Sequence, residues 1–139
     1  LHDRVDILAF DAARISTQAA LEKAGAEIQQ IDFFEPWDAF SIYVLLSLEA
    51  AGFARSGEGW KLLKNGGLSL EGELPIATMG GLKARGFPLG AAGAYQVVDA
   101  VMQLRGQAGE NQIKGAQTAL VQALGGSAAT SVTCVLKRL

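Results

Sequence analysis

The sequence predicts an α/β domain: a layered, mixed β-sheet with helices on both faces. Three observations carry this. The elements run helix, strand, helix, long loop, helix, strand, strand, an order that packs naturally as helices against both sides of a sheet. Only a short glycine-rich link separates the last two strands, so they pair as an antiparallel hairpin. Half of the 139 residues are hydrophobic and 19% are charged, enough apolar side chain to bury a real core. The length fits one domain over residues 1–139.

Leu8, Ala12, Ile15 and Ala19 recur at helical spacing, with Asp11, Arg14, Gln18 and Glu22 on the other side. This predicts an amphipathic helix that ends at Gly25. Ile31 to Glu35 is a short apolar run with two phenylalanines and reads as a buried strand. Pro36 breaks it, and Asp38 is placed to cap a second helix that runs to about Gly52. That helix is apolar nearly all round, so it is expected at the centre with layers on both sides. Residues 55 to 80 carry glycines and weak periodicity and read as a long functional loop. From Gly90 to Arg105 a third helix is expected, with Ala94, Val97, Val98, Val101 and Leu104 inward. Ala116–Ala123 and Thr130–Lys137 read as strands joined through Leu124-Gly125-Gly126-Ser127. In the last strand Val132, Cys134 and Leu136 share a face, and Ser131 and Thr133 take the other.

The net charge is −2, and no basic stripe marks a nucleic-acid surface. Lys61, Lys64, Lys83 and Arg85 read as solvated loop charge. The single cysteine, Cys134, rules out an internal disulfide and reads as a small hydrophobe in a strand. No metal-ligating set is expected. No apolar run reaches the ~18 residues of a membrane span and no signal peptide is visible, so a cytoplasmic location is expected. The chain starts at Leu1, not Met, and is expected to be a piece of something larger. His2, the one histidine, lies at that end.

The most informative stretch is Gly80-Gly81-Leu82-Lys83-Ala84-Arg85-Gly86-Phe87-Pro88-Leu89-Gly90-Ala91-Ala92-Gly93. Its glycines make a tight loop that leads into a helix start and can approach a ligand closely. The stretch resembles the thiolase signature. Glu35-Pro36-Trp37-Asp38-Ala39-Phe40 resembles the segment that opens the buried helix in the sterol-carrier-protein-X and archaeal branch. Glu73–Gly81, Gln103–Gly109 and the Gly125-Gly126 loop are similar to that branch as well, in order and with compatible spacing.

The resemblance implies a thiolase-like half-domain, the C-terminal half of a two-half protein. It implies a five-stranded sheet of order 3-2-1-4-5, in which a first strand precedes the first helix. Val5 to Phe10 offers a shortened version of that strand, but its spacing merges better with the first helix. Without it, strands two and four lack a neighbour, and a dimer or completion by a second chain is expected. The family's nucleophilic cysteine lies in the other half.

In that branch a histidine before the proline of the glycine turn activates the cysteine, and a second histidine helps form an oxyanion hole. Phe87 and Trp37 stand at those positions. A phenyl ring moves no proton, and an indole N–H donates but never accepts. Where other thiolases carry a second cysteine, the loop reads Gly125-Gly126-Ser127-Ala128-Ala129. No catalytic residue is therefore assigned with thiolase chemistry in mind. Tyr43 and Tyr95 are the remaining proton-transfer candidates, and each also reads as a core tyrosine. Glu35 and Asp38 read as strand-end and capping residues. Gly86, Phe87, Gly126 and Ser127 are the expected substrate-binding set, with turn formation as the other reading of Ser127.

The resemblance implies a coenzyme A thioester as ligand or substrate and no further cofactor. The first expectation is an acyl-CoA-binding or scaffold domain that is inactive as a thiolase on its own. The second is half of a retro-aldolase acting on steroid or lipid side-chain CoA thioesters, with a small OB-fold partner. The third is a structural half that serves dimer assembly. Partners implied are the N-terminal half or a second subunit, and a second copy of the chain.

Overall fold

A computed structural model describes residues 5–139 of the chain; His2 lies outside them. Helix α1 spans Asp11–Ala24, strand β1 Phe33–Glu35, and helix α2 Ser41–Ala51. A single helical turn, α3, covers Leu82–Arg85, and helix α4 covers Ala92–Leu104. Strands β2, Thr118–Gly125, and β3, Thr130–Lys137, close the chain. Short 3₁₀ turns occupy Ile28–Gln30, Gly59–Gly66, Leu89–Ala91 and Gly109–Asn111.

The sheet order is β1-β2-β3, with β1 parallel to β2 and β2 antiparallel to β3. The mixed sheet and the hairpin are as the sequence predicts. Adjacent phenylalanines on β1 show how it organises the interior. Successive side chains on a strand point to opposite faces. Phe34 packs with Leu48, Leu74 and Leu120 on one face, and Phe33 packs with Ala100, Leu104 and Ala119 on the other. Both rings are fully buried, each worth about 1.5–3 kcal/mol. Helices α1 and α2 cover the first face and α4 covers the second.

Several expectations change. Residues 5–10 form no strand, yet no gap opens in the sheet. Strand β1 pairs directly with β2, Phe33 opposite Ala119, so the expected order 3-2-1-4-5 does not hold. The two parallel strands satisfy each other's backbone groups, which removes the unpaired interior edges. The long loop supplies the next position in the sheet. The Phe34 N–H donates to the Pro75 carbonyl at 3.0 Å, and the Ala77 N–H donates to the Phe34 carbonyl at 3.3 Å.

Helix α2 is not central. Phe40, just before it, and Ile42 are half or more exposed, while Ser47, Leu48 and Ala51 are buried. One side meets the sheet and α1, and the other leaves Phe40 and Ile42 largely in solvent. Asp38 does not cap α2, which starts after Phe40 with no side-chain cap. The Asp38 carboxylate instead accepts the Leu82 N–H at 2.7 Å, so it ties α3 to the end of β1.

The inward faces of α1 and α4 are also re-phased. On α1 the buried residues are Ala13 and Thr17, and Ile15 is exposed. On α4 they are Ala92, Gln96, Asp99, Ala100, Gln103 and Leu104; Ala94 and Val98 face out. Three polar side chains on a buried helix face need partners. Gln103 finds them in Thr78, Asn111 and Ile113. Gln96 and Asp99 find them at the candidate site.

Candidate functional site

In sheets with parallel strands, ligands bind beyond the carboxyl ends of the strands. Here β1 ends at Glu35, next to Pro36 and Trp37, and β2 ends at the Gly125-Gly126 turn. The α4 residue Gln96 fastens both ends. Its side-chain amide donates to the carbonyls of Glu35, Pro36 and Gln122 at 3.2, 2.6 and 3.2 Å. Pro36 has no N–H to continue the ladder, and its carbonyl accepts from Gln96. The chain is thereby turned out of the sheet at a fixed point, and Trp37 is the first residue past it.

The glycine stretch arrives opposite. Gly81 passes so close to Asp38 that a Cβ there would collide with the carboxylate. One helical turn later Gly86 takes φ +96°, a conformation that suits glycine. These two glycines bracket α3 and hold Arg85 and Phe87 at set positions. The rings of Trp37 and Phe87 meet edge to face, with centroids 5.0 Å apart and planes at 83°. The structure thus brings together two residues fifty positions apart at which the family resemblance expects imidazoles.

Phe87 and Leu82 border two neighbouring cavities. One, of about 350 Å³, is lined by Arg85, Gly86, Pro88 and Tyr95 as well. The other, of about 600 Å³, includes Trp37, Phe40, Leu89, Gly125 and Gly126. Of the expected binding set, Gly86 lines the smaller cavity, Gly126 the larger and Phe87 both, with half-buried Ser127 next to Gly126 in the turn. Tyr95 borders the smaller cavity and is half exposed. Tyr43 sits elsewhere: it packs against Phe10 at 5.0 Å and Phe40 at 5.1 Å on the α1 side. Cys134 is partly buried on β3, opposite Val121 in the ladder. A third cavity, of about 750 Å³, lies at the other end of the strands among Asp32, Glu71, Glu73 and Glu110. Its acidic walls oppose a phosphate-bearing ligand.

Sequence reasoning missed a charged cluster behind the cavities. Arg85 forms a two-pronged ion pair with Asp99 of α4, Nη1 to Oδ1 at 3.0 Å and Nη2 to Oδ2. Asp99 is buried, and so is Glu35, at 2% exposure. Burial pushes the Glu35 carboxyl up to about 8, and the Asp99 carboxylate pushes the same way. Arg85 pulls it down and Asp38 adds a smaller upward push. The hydrogen bond to Asp99 holds Arg85 above its ordinary value. Glu35 Oε1 has no hydrogen-bond partner among the described residues. Strand alternation was the available signal: Glu35 shares a face with buried Phe33, so it had to point toward α4.

The arrangement is an α/β half with apolar cavities at the carboxyl ends of its strands. Two aromatic rings border them, Phe87 both cavities and Trp37 the larger one. A family model described as thiolase C-terminal domain-like matches residues 1–138, and the chain belongs to that family. It is 39% identical over 138 residues to an acetyl-CoA acetyltransferase of Methanothermobacter thermautotrophicus, covering 99% of this chain and 36% of that protein. It is 37% identical over 129 residues to the sterol carrier protein 2 of Homo sapiens, covering 93% of this chain and 24% of that one. Among solved structures, one titled Ltp2-ChsH2(DUF35) aldolase matches with a TM-score of 0.88 and 27% identity. That match covers 99% of this chain and 34% of the other. The chain therefore spans only a minor part of each relative's length. Among the described residues no helix is long and apolar enough to cross a membrane.

Proposed function

We propose that this domain forms one wall of a coenzyme A thioester site in lipid metabolism, and that this wall carries out no histidine chemistry. The observation behind the reading is the Trp37–Phe87 contact at the glycine turn. Thiolase turnover needs a base for the cysteine and donors for the thioester oxygen. A phenyl ring supplies neither, and an indole supplies one donor at most. The apolar surface that replaces the imidazoles favours binding an acyl group over transferring it. The test uses the full-length protein, with calorimetric titration of butyryl-CoA alongside a thiolysis assay with acetoacetyl-CoA and CoA. Thioester binding without thiolysis is the expected result. Thiolysis of acetoacetyl-CoA by the full-length protein would overturn the reading, and so would the absence of thioester binding.

A second reading is favoured by the likeness to the Ltp2-ChsH2(DUF35) aldolase and by Tyr95 at the smaller cavity. In a retro-aldol cleavage a base takes the proton of a β-hydroxyl. The alkoxide carbon becomes a carbonyl as the carbon–carbon bond breaks, and the electron pair moves to the thioester α-carbon, which takes the proton back from the base. Tyr95 is the candidate proton-transfer group for this domain, and the other half and a partner subunit complete the site. A β-hydroxyacyl-CoA converted to a carbonyl fragment by the full-length protein, and not by Tyr95→Phe, supports this reading. Unchanged turnover in Tyr95→Phe removes Tyr95 from it.

A further inference from the structure

The thioester reading leaves the acyl group open, and the smaller cavity bears on it. At about 350 Å³ it has room for a short acyl chain. Leu82, Phe87 and Pro88 make its walls apolar, and among the described residues Arg85 is the one cation that lines it. Pockets of this kind take orientation from a few placed polar groups.

Arg85 is prepared for that task. Its side chain is 36% exposed, while its partner Asp99 is 5% exposed and fixed on α4. A guanidinium has five N–H donors. The two-pronged pair with Asp99 occupies one on each terminal nitrogen, which leaves three. Because Asp99 already holds the group in place, a ligand has little side-chain entropy to overcome. The local charge balance also matters. Arg85 and Asp99 cancel and Asp38 adds a negative charge nearby, so an ionised Glu35 behind them would make the cluster more negative still and weaken its hold on an anion. Asp99 from α4, Arg85 from α3 and Asp38 beyond β1 are the charged groups that act on Glu35. The upward push from burial keeps Glu35 neutral at pH 7.

We infer that this cavity is a subsite for a carboxylate at the far end of the acyl chain, gripped by Arg85 and positioned by Asp99. The inference rests on the thioester reading and narrows it to a dicarboxylic acyl group. A single cation among apolar walls suits one carboxylate better than the several phosphate groups of coenzyme A, which call for more donors.

The experiment titrates glutaryl-CoA, butyryl-CoA and free CoA into the full-length protein, the Arg85→Gln variant and the Arg85→Lys variant. Wild type is expected to bind glutaryl-CoA at least tenfold more tightly than butyryl-CoA. Arg85→Gln brings that ratio to about one. Arg85→Lys, which keeps a charge beside Asp99 and so guards against misfolding, retains an intermediate ratio. Equal affinities in wild type, or a ratio that survives Arg85→Gln, overturns the inference and leaves the thioester reading intact. A loss shared equally by all three ligands assigns Arg85 to the CoA phosphates and overturns it too. If none of the three binds wild type, the inference falls together with the thioester reading.

Discussion

Glu35 offers a test in which chemistry and stability meet. Replacing it with Gln keeps the shape of the side chain and removes its ionisation. In the unfolded chain a glutamate loses its proton from about pH 4.5, whereas the fold holds the Glu35 proton up to about pH 8. The folded state thus binds more protons than the unfolded state between those values, and stability falls as pH rises through that window. The contribution is fully present below pH 4.5 and lost above pH 8. At 1.36 kcal/mol per pH unit, the full span is on the order of 5 kcal/mol. Urea denaturation of both proteins at pH 5, 7 and 9 measures it, because every other titrating group is common to the pair and cancels. Wild type should lose stability relative to Glu35→Gln between pH 5 and pH 7 and again, by less, between pH 7 and pH 9. If the two stability curves run parallel from pH 5 to 9, the carboxyl is not held protonated by its surroundings, and the charge balance drawn around Arg85 fails.

Gly81→Ala forces a Cβ into the Asp38 carboxylate and should cost roughly 2–4 kcal/mol, read as a fall in thermal midpoint. Gln96→Leu removes the donor that joins the ends of β1 and β2 and leaves buried carbonyls unpaired. A loss of about 1–3 kcal/mol in chemical denaturation is expected. Phe87→Ala removes the ring that borders both cavities and the edge-to-face contact worth about 0.5–1.5 kcal/mol. Titration with acyl-CoA thioesters of increasing length should then show the optimum moving to longer chains.

The elements were readable because periodicity and punctuation agree with the backbone. The α1 helix stops at Gly25, α2 at Gly52, and the hairpin turns at Gly126 as the sequence predicts. The phase of the helices was not readable, because size and hydroxyl pairing override apolarity. Helix α1 turns Thr17 inward to accept from the Gln122 amide at 3.0 Å. Its Ser16 hydroxyl pairs with those of Ser131 and Thr133 at 2.9 and 2.7 Å. Small polar residues let the helix sit close to β3, and the larger Ile15 is left outside. At the site, Phe87 stood out in the glycine-turn motif and Trp37 in the Glu35–Phe40 segment, and the structure puts the two rings in contact. The Arg85–Asp99 pair was not, because fourteen positions separate a residue that reads as loop charge from one hidden in an apolar helix. Asp38 was misassigned for a similar reason: capping is usually local, and here it acts on a helix forty-four residues away.

The polar framework argues against a purely structural half. Strands can be held together by apolar packing, and Phe33, Phe34, Leu120 and Ala119 already do so. Gln96, Asp38 and Asp99 add little to that packing, and burying them carries a desolvation cost. What they do is fix directions: where β1 leaves the sheet, where α3 begins, and which way Arg85 points. All three act at the carboxyl ends of β1 and β2, beside the cavities. An assembly surface does not need the angle of one guanidinium to be set by a buried carboxylate. A binding site does, because a ligand group a fraction of an ångström out of place forfeits its hydrogen bonds. Asp99→Asn separates the two cases: it keeps the shape and a single hydrogen bond to Arg85 but removes the charge that aligns it. On the binding reading, thioester affinity falls by more than the loss of fold stability accounts for. Affinity that tracks stability alone would favour the structural role.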